Sequence, residues 1–375
     1  MTQNIIAPYR IKLFEEIAKT KGVDFKVLLT ARGIKSLPQW DFSPEDLPFP
    51  AERVPGLCFQ LKDDRILCFN PTILFKMLQD RPDAIICAGF SFVTLLAMIY
   101  RLLGRGRYII WMEGTEYTER NNFFVRKLRT FMITSASALV DAGILSRRYL
   151  KSLLPPNLNK AFFTSYNCIE TDRFVQKVGS QATLREMRAK YPPQNILFVG
   201  RLIKIKGILQ LLNVYRIVSE QYQNPVGLII VGQGPLEKEI REFKKSYQLN
   251  NIFLEGFVKY QELPAYYWIS DLLVNLGIED RNPLVLFEAL AAGIPVLFSK
   301  RIGNAIDFVK DGENGYIVDP FDTEAITLKA LELLKWDSTK RERAAIFSRN
   351  ITKKANYHDS GKAFVEACQE AVKLF

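Results

Sequence analysis

A chain of 375 residues, 48% hydrophobic and 24% charged, is that of a folded globular protein too long for one ordinary core, and it suits two domains. The lack of low-complexity tracts and of any fixed-period repeat excludes solenoids and propellers. A single histidine, His358, leaves Ser-His-Asp and His-based metal or acid–base chemistry almost nothing to work with, and net charge is +11.

Strand-like runs alternate with helix-period segments from the start. The first strand has only Thr2–Ile6 available before the turn Ala7-Pro8-Tyr9-Arg10, so it is either very short or clipped. Ile11, Phe14, Ile17 and Ala18 then mark one apolar helical face. Strands are expected at Phe25–Thr30, Arg65–Phe69, Ala84–Ala88, Tyr108–Met112, Ala138–Val140 and Ala161–Tyr166. Ala84–Tyr100 runs 17 residues without a charge, near the lower limit for a bilayer span. It divides into a strand, a turn at Gly89 and a helix opening near Ser91, which reads as a buried strand-turn-helix unit. Met1–Arg10 shows no basic region followed by a long apolar one, so no secretory signal is expected. After a polar stretch the pattern restarts at Asn195–Val199, Gly227–Val231, Asn251–Leu254, Asp271–Asn275, Pro295–Phe298 and Tyr316–Val318, and Tyr357–Phe375 reads as one last helix.

Alternation of this kind predicts an α/β fold of two Rossmann-like halves with parallel sheets. The expected boundaries are an N-terminal domain over 1–176, a linker over 177–194, a C-terminal domain over 195–352 and a final helix over 353–375 that packs back on the first domain. Ligands are expected where strands end. Five scattered cysteines (Cys58, Cys68, Cys87, Cys168, Cys368), never in a Cys-x-x-Cys pair, argue against a zinc site and for a reducing compartment. Through Ser165 there are 23 Lys+Arg against 15 Asp+Glu, net +8, and the remainder carries 28 against 25, net +3. A basic first half suggests an anionic partner such as a membrane surface, a lipid-phosphate acceptor or nucleic acid, beside the plain alternative of a solvated basic surface. No helix-turn-helix or RNA-binding signature appears, which counts against nucleic acid.

Three segments of the second half carry chemistry. In Gly200-Arg201-Leu202-Ile203-Lys204-Ile205-Lys206-Gly207, Arg201 and Lys206 flank a loop that enters a helix, a good diphosphate site because amides and dipole add to the cations. Gly232-Gln233-Gly234-Pro235 follows an apolar strand, and either close backbone approach to a ligand or a tight structural turn explains it. In the third, Asp280 precedes Asn282-Pro283-Leu284-Val285 and Glu288. Pro283 suits a helix start, the Leu284 and Val285 amides would face an anion, and a carboxylate one turn inside can accept both hydroxyls of a ribose.

This third block, ending Glu288-Ala289-Leu290-Ala291-Ala292-Gly293-Ile294-Pro295-Val296, resembles the signature of family-4 retaining glycosyltransferases of GT-B architecture. The loop Gly200–Gly207, the turn Gly232–Leu236, Val258…Glu262-Leu263 with Tyr266-Tyr267, and Gly303-Asn304…Asp307…Gly312–Tyr316 match the same family in the same order, from Asn195 to about Leu334. Asn167-x-Ile169-Glu170…Phe174 resembles the element that closes its N-terminal domain. The resemblance implies two Rossmann-like domains with a cleft between them, and sugar transfer from a nucleotide-sugar co-substrate, UDP favoured, to a glycan or lipid-linked acceptor. Anomeric configuration would be retained, without metal or cofactor. Arg201 and Lys206 would hold the leaving diphosphate, Glu288 the ribose, Leu284 and Val285 a phosphate. Asp280 and its neighbours would face the donor sugar, and Phe257 and Val258 the base. The setting implied is cell-surface polysaccharide or glycolipid synthesis, in the cytoplasm or peripheral on the cytoplasmic face of a membrane.

Three departures stand out. Asp280 stands where the family commonly has Glu, Asn282-Pro283 replaces a more frequent Phe-Gly, and the family's N-terminal-domain histidine is absent. Glu113, after the strand Tyr108–Met112, stands in roughly that histidine's place, either taking over its role or serving as a structural acid. Rival readings are a GT-B nucleotide-sugar epimerase, a phosphorylase, and a non-catalytic Rossmann protein binding an anionic polymer. The acid–seven–Glu helix, and the lack of a pyridoxal lysine site, weigh against the first two.

Overall fold

The computed structural model describes residues 1–32, 42–60, 66–119, 122–176 and 181–373. They form two compact units, Met1–Cys168 with Ala355–Phe375, and Ile169–Lys354.

The first unit holds β1 (Thr2–Gln3), β2 (Val27–Leu29), β3 (Ala51–Arg53), β4 (Leu57–Gln60), β5 (Ile66–Phe69), β6 (Ala84–Ala88), β7 (Arg107–Met112), β8 (Ala138–Asp141) and β9 (Phe162–Thr164). Seven of these build a parallel sheet in the order β3-β2-β1-β6-β7-β8-β9. Successive side chains alternate between two buried faces. Ile85, Cys87, Tyr108, Ile110 and Met112 enter one core. Ile86, Ile109 and Trp111 enter the other, where Phe364, Val365, Ala367 and Ala371 of the helix Tyr357–Lys373 cover them. The uncharged run through Tyr100 is β6, a turn at Gly89 and the helix Phe92–Leu102, whose Ser91 and Thr94 form a reciprocal cap. Among the described residues, no helix is long and apolar enough to cross a membrane.

Two expectations need correcting here. The strand expected over 65–69 is not part of the sheet: β5 pairs antiparallel with β4, and their register sets Cys58 opposite Cys68. These two form a disulfide with Cα atoms 4.1 Å apart, leaving Cys87, Cys168 and Cys368 free. Spacing along the chain gave no hint of this pairing, which hairpin register creates, and it removes part of the cysteine argument for a reducing compartment.

The second unit holds β10 (Gln194–Val199), β11 (Val226–Val231), β12 (Ile252–Gly256), β13 (Leu272–Asn275), β14 (Val296–Ser299) and β15 (Gly315–Val318). All are parallel, in the order β12-β11-β10-β13-β14-β15. The order reverses between β10 and β13, which makes the ends of those strands the ligand position of a doubly wound sheet. The central strands are buried on both faces, with Ile196, Leu197, Leu228, Ile229, Leu272 and Leu273 closed to solvent. Each contributes roughly 1.5–3 kcal/mol, which makes this sheet a rigid base for the loops above it. The stretch expected to be a linker includes the helix Gln181–Arg188, where Arg188 bonds Asp271 at 3.1 Å; residues 177–180 lie outside the described set. The second unit begins at Ile169, before the boundary expected at 176, and Phe174 packs its ring on Tyr267 and Tyr260.

Candidate functional site

Loops after β10, β11 and β13 interlock through their backbones. Gly200 N donates to Val231 O at 3.0 Å, Leu202 N to Gln233 O at 2.9 Å, and Ile278 N to Ile205 O at 2.9 Å. Two glycines make this possible. A Cβ on Gly232, at φ +141°, would lie 1.9 Å from Gly200 O, and one on Gly207, at φ +73°, would lie 2.1 Å from Leu276 O. A Cβ on Gly234 would meet Leu202 O at 2.5 Å. Of the two explanations for this Gly-x-Gly, the packed turn is thus sufficient by itself.

This interlock brings two of the singled-out charges together. Lys206, in a short turn of 3-10 helix (Lys204–Lys206), donates to Asp280 Oδ2 at 2.6 Å, and both side chains are largely buried. Asp280 is itself fixed: Gly303 N donates to its carbonyl at 3.1 Å, and Asp280 bridges Ile302 as an isolated parallel pair. The ion pair therefore ties the loop after β10 to the loop after β13 across the switch point. Arg201 lies half-buried in the first of these loops.

Asn282 and Pro283 lead into the helix Val285–Ala292, with Leu284 at its N-cap and no side-chain cap. Asn304, which is buried, donates to Pro283 O at 3.2 Å and holds this entry in place. The amides of an uncapped first turn seek an acceptor, and the helix dipole favours a negative one. Glu288 lies one turn in and is 4% exposed. Tyr267, from the helix Leu263–Trp268, donates its hydroxyl to Glu288 Oε2 at 2.6 Å. Burial pushes the Glu288 carboxyl up to about 7, opposed by the Tyr267 bond. Burial and the neighbouring carboxylate push the Tyr267 hydroxyl well above its usual range. Phe257 follows β12 and is exposed, while Val258 is half-buried.

Tyr267 and Phe174 are the residues whose part sequence reasoning did not assign. Both stood in matched stretches, but only the fold shows Tyr267 as the partner of Glu288, with the Phe174 ring centroid 5.5 Å from its own. Among the described residues, no group of three or more His, Cys, Asp or Glu could hold a metal.

Glu113 belongs to the first unit. It follows β7 and pairs with Arg10, whose guanidinium also donates to Gln3 Oε1 at 2.9 Å and lies 4.6 Å over the Trp111 ring. The pair anchors the loop after β7 on the helix Pro8–Ala18. Glu116, on the same loop, is exposed.

Comparison with known proteins agrees with this geometry. Residues 181–370 match the family Glycosyl transferases group 1. The alpha-monoglucosyldiacylglycerol synthase of Acholeplasma laidlawii is 36% identical over 300 residues, 70% of each chain. Spore coat protein SA of Bacillus subtilis (strain 168) is 31% identical over 180 residues, 45% of this chain and 47% of that one, so the match spans about half of that relative. The crystal structure of Anabaena Alr3699/HepE in complex with UDP aligns with a TM-score of 0.75 over 97% of both chains at 17% identity, a likeness of fold. That fold is the GT-B arrangement of two Rossmann-like halves. A family match over half the chain, with a relative this similar over most of its length, shows that the chain belongs to the glycosyl transferases group 1 and is a glycosyltransferase.

Proposed function

We propose that the protein transfers a sugar from a nucleotide-sugar donor, a UDP-sugar by preference, to a glycan or lipid-linked acceptor with retention of configuration. The observation that carries this reading is the uncapped start of the helix Val285–Ala292, with buried Glu288 one turn inside and the Lys206–Asp280 pair on the adjacent loops. A diphosphate meets the Leu284 and Val285 amides and the cations Arg201 and Lys206. Gly200 lets the backbone come close, and Gly232 and Gly234 hold the loop after β11 against it. Glu288 accepts the ribose hydroxyls, Phe257 and Val258 flank the base, and Asp280, Asn282 and Pro283 face the sugar. In the reaction the bond from the anomeric carbon to the diphosphate oxygen breaks and a bond to the acceptor oxygen forms. The acceptor proton passes to the leaving diphosphate, whose charge Arg201 and Lys206 stabilise. These cations and the helix start do what a metal does elsewhere, so transfer needs no metal ion. The first unit takes the acceptor side, and Glu113 is its candidate for a part in turnover.

Two relatives support the choice of donor and acceptor: one is named for making a glycolipid, and the other was crystallised with UDP. A glycolipid product and a basic N-terminal half fit work at the cytoplasmic face of a membrane, in cell-surface polysaccharide or glycolipid synthesis. The test is a thermal-shift screen of UDP-, GDP- and ADP-sugars with chelator present, followed by acceptor screening with mass detection. A melting temperature unmoved by every nucleotide sugar would refute the assignment.

A further inference from the structure

The first unit exposes apolar side chains in one contiguous region. On the helix Phe123–Ser135, Phe123, Phe124, Leu128 and Phe131 are exposed, Phe124 at 81%. At about 100° per residue these four and Lys127 span an arc of roughly 140°, while Met132, just beyond its Leu128 edge, and Ile133, on the far side, are buried. A helix that covers a core needs one apolar face, and this one has two. The β4–β5 hairpin adds Leu57, Phe59, Leu67 and Phe69, all at least half exposed. Hairpin and helix share a surface: an apolar cavity of about 440 Å³ is lined by Phe59, Leu67 and Phe69, by Phe92 against which Phe69 packs, and by Leu128 and Met132. Several of these lining residues are among the exposed ones, so cavity and patch are continuous. An exposed apolar area of this kind marks an interaction site.

Charge decides what covers it. Residues 120–169 hold eight Lys or Arg (120, 126, 127, 129, 147, 148, 151 and 160) against one acid, Asp141; eight minus one is +7 of the chain's +11. Asp141 is closed to solvent and bonded to Arg147 at 2.7 Å, while Lys127, Arg148 and Lys151 are exposed. A second copy would set this cationic region against itself, which disfavours self-association. Aromatic and aliphatic side chains beside so cationic a stretch, with Lys62 and Arg65 balancing Asp63 and Asp64 between the two strands of the hairpin, match the headgroup boundary of an anionic bilayer.

We propose that this face docks on an anionic membrane, inserting Phe123, Phe124, Phe131, Phe59 and Leu67 to the headgroup level while Lys127, Arg148 and Lys151 meet lipid phosphates. The docking face deepens the membrane-surface reading of the acceptor, on which it rests, and supplies the residues that would do it.

The test is flotation of the full chain with neutral phosphatidylcholine vesicles and with vesicles containing phosphatidylglycerol at about one-third of the lipid. The parent should float with anionic vesicles, far less with neutral ones, and less as salt rises. The exposed-site variant Phe124→Glu/Phe131→Glu should lose at least tenfold in partitioning, and Lys127→Gln/Arg148→Gln should keep only neutral-vesicle binding. Both variants should keep the parent's circular dichroism and its thermal shift with UDP. Parental binding by Phe124→Glu/Phe131→Glu would overturn the proposal. So would a parent that ignores vesicles, or one whose patch proves to be a dimer contact by light scattering. A chain that docks through this face but takes no nucleotide sugar would leave the docking intact and sink only the transfer chemistry.

Discussion

Replacing Glu288 by Gln tests the site through stability and binding together. The carboxyl is buried and its pKa is raised from 4.5 to about 7. The folded unit therefore holds this proton more tightly than the unfolded chain does. Between these two values the folded state binds more protons, so stability falls as pH rises, and levels off above the folded value. At 1.36 kcal/mol per unit the full loss is about 3 kcal/mol. Gln carries no charge to desolvate and keeps an oxygen for the Tyr267 hydroxyl. Glu288→Gln should thus match the parent near pH 5 and exceed it near pH 8, less about 1 kcal/mol for housing the new amide. For a unit of this size that is a Tm gain of roughly 4–8 °C, measured by near-ultraviolet circular dichroism at the two pH values. Nucleotide binding should move the other way. Ribose hydroxyls stabilise the ionised carboxylate, so the parent should release a proton on binding UDP near pH 6, and calorimetry in buffers of differing ionisation enthalpy reads this directly. The variant should bind UDP about tenfold more weakly with no linked proton. An identical Tm offset at both pH values would refute the buried, proton-holding carboxyl, and unchanged UDP affinity would refute its contact with the nucleotide.

Arg201→Ala and Lys206→Ala should each cost about 2–4 kcal/mol of transition-state stabilisation in kcat/KM, with chelator present; full turnover in either removes that cation from the diphosphate clamp. Lys206→Ala also leaves buried Asp280 without its partner, so it should lower the urea midpoint where Arg201→Ala need not, and Lys206→Ala/Asp280→Asn should recover part of the loss. Gly232→Ala forces a Cβ to within 1.9 Å of Gly200 O and should destabilise the second unit by about 2 kcal/mol or more; an unshifted urea midpoint would show that the loops part easily. Glu113→Gln should lower kcat and leave UDP binding alone, whereas exposed Glu116→Gln should do little; if neither changes turnover, the Arg10–Glu113 pair only anchors its loop.

Much of this protein is written in local pattern. Continuous apolar runs such as Leu228–Val231 are legible because a parallel strand is buried on both faces, and β6 with its capped helix is legible because Gly89 and Ser91 punctuate an otherwise uncharged run. The acidic pair of the third block and the helix start between its members are local too, since seven intervening residues place one carboxylate in the loop and the other one turn inside. What local pattern does not hold is partnership across long separations. Lys206 and Asp280 are 74 residues apart in sequence, and only adjacent strand ends at the switch point bring them to bonding distance. Tyr267 reaches Glu288 because one helix packs on another, and Cys58 faces Cys68 because a hairpin turned. The apolar face of the helix Phe123–Ser135 was hidden for a related reason: periodicity shows that a helix has apolar sides, but tertiary packing alone decides which side is covered. The elements and the identity of the chemical groups thus follow from composition and spacing, which act over a few residues. Pairing, burial and the shifted carboxyl follow from which segments each unit's own fold brings together.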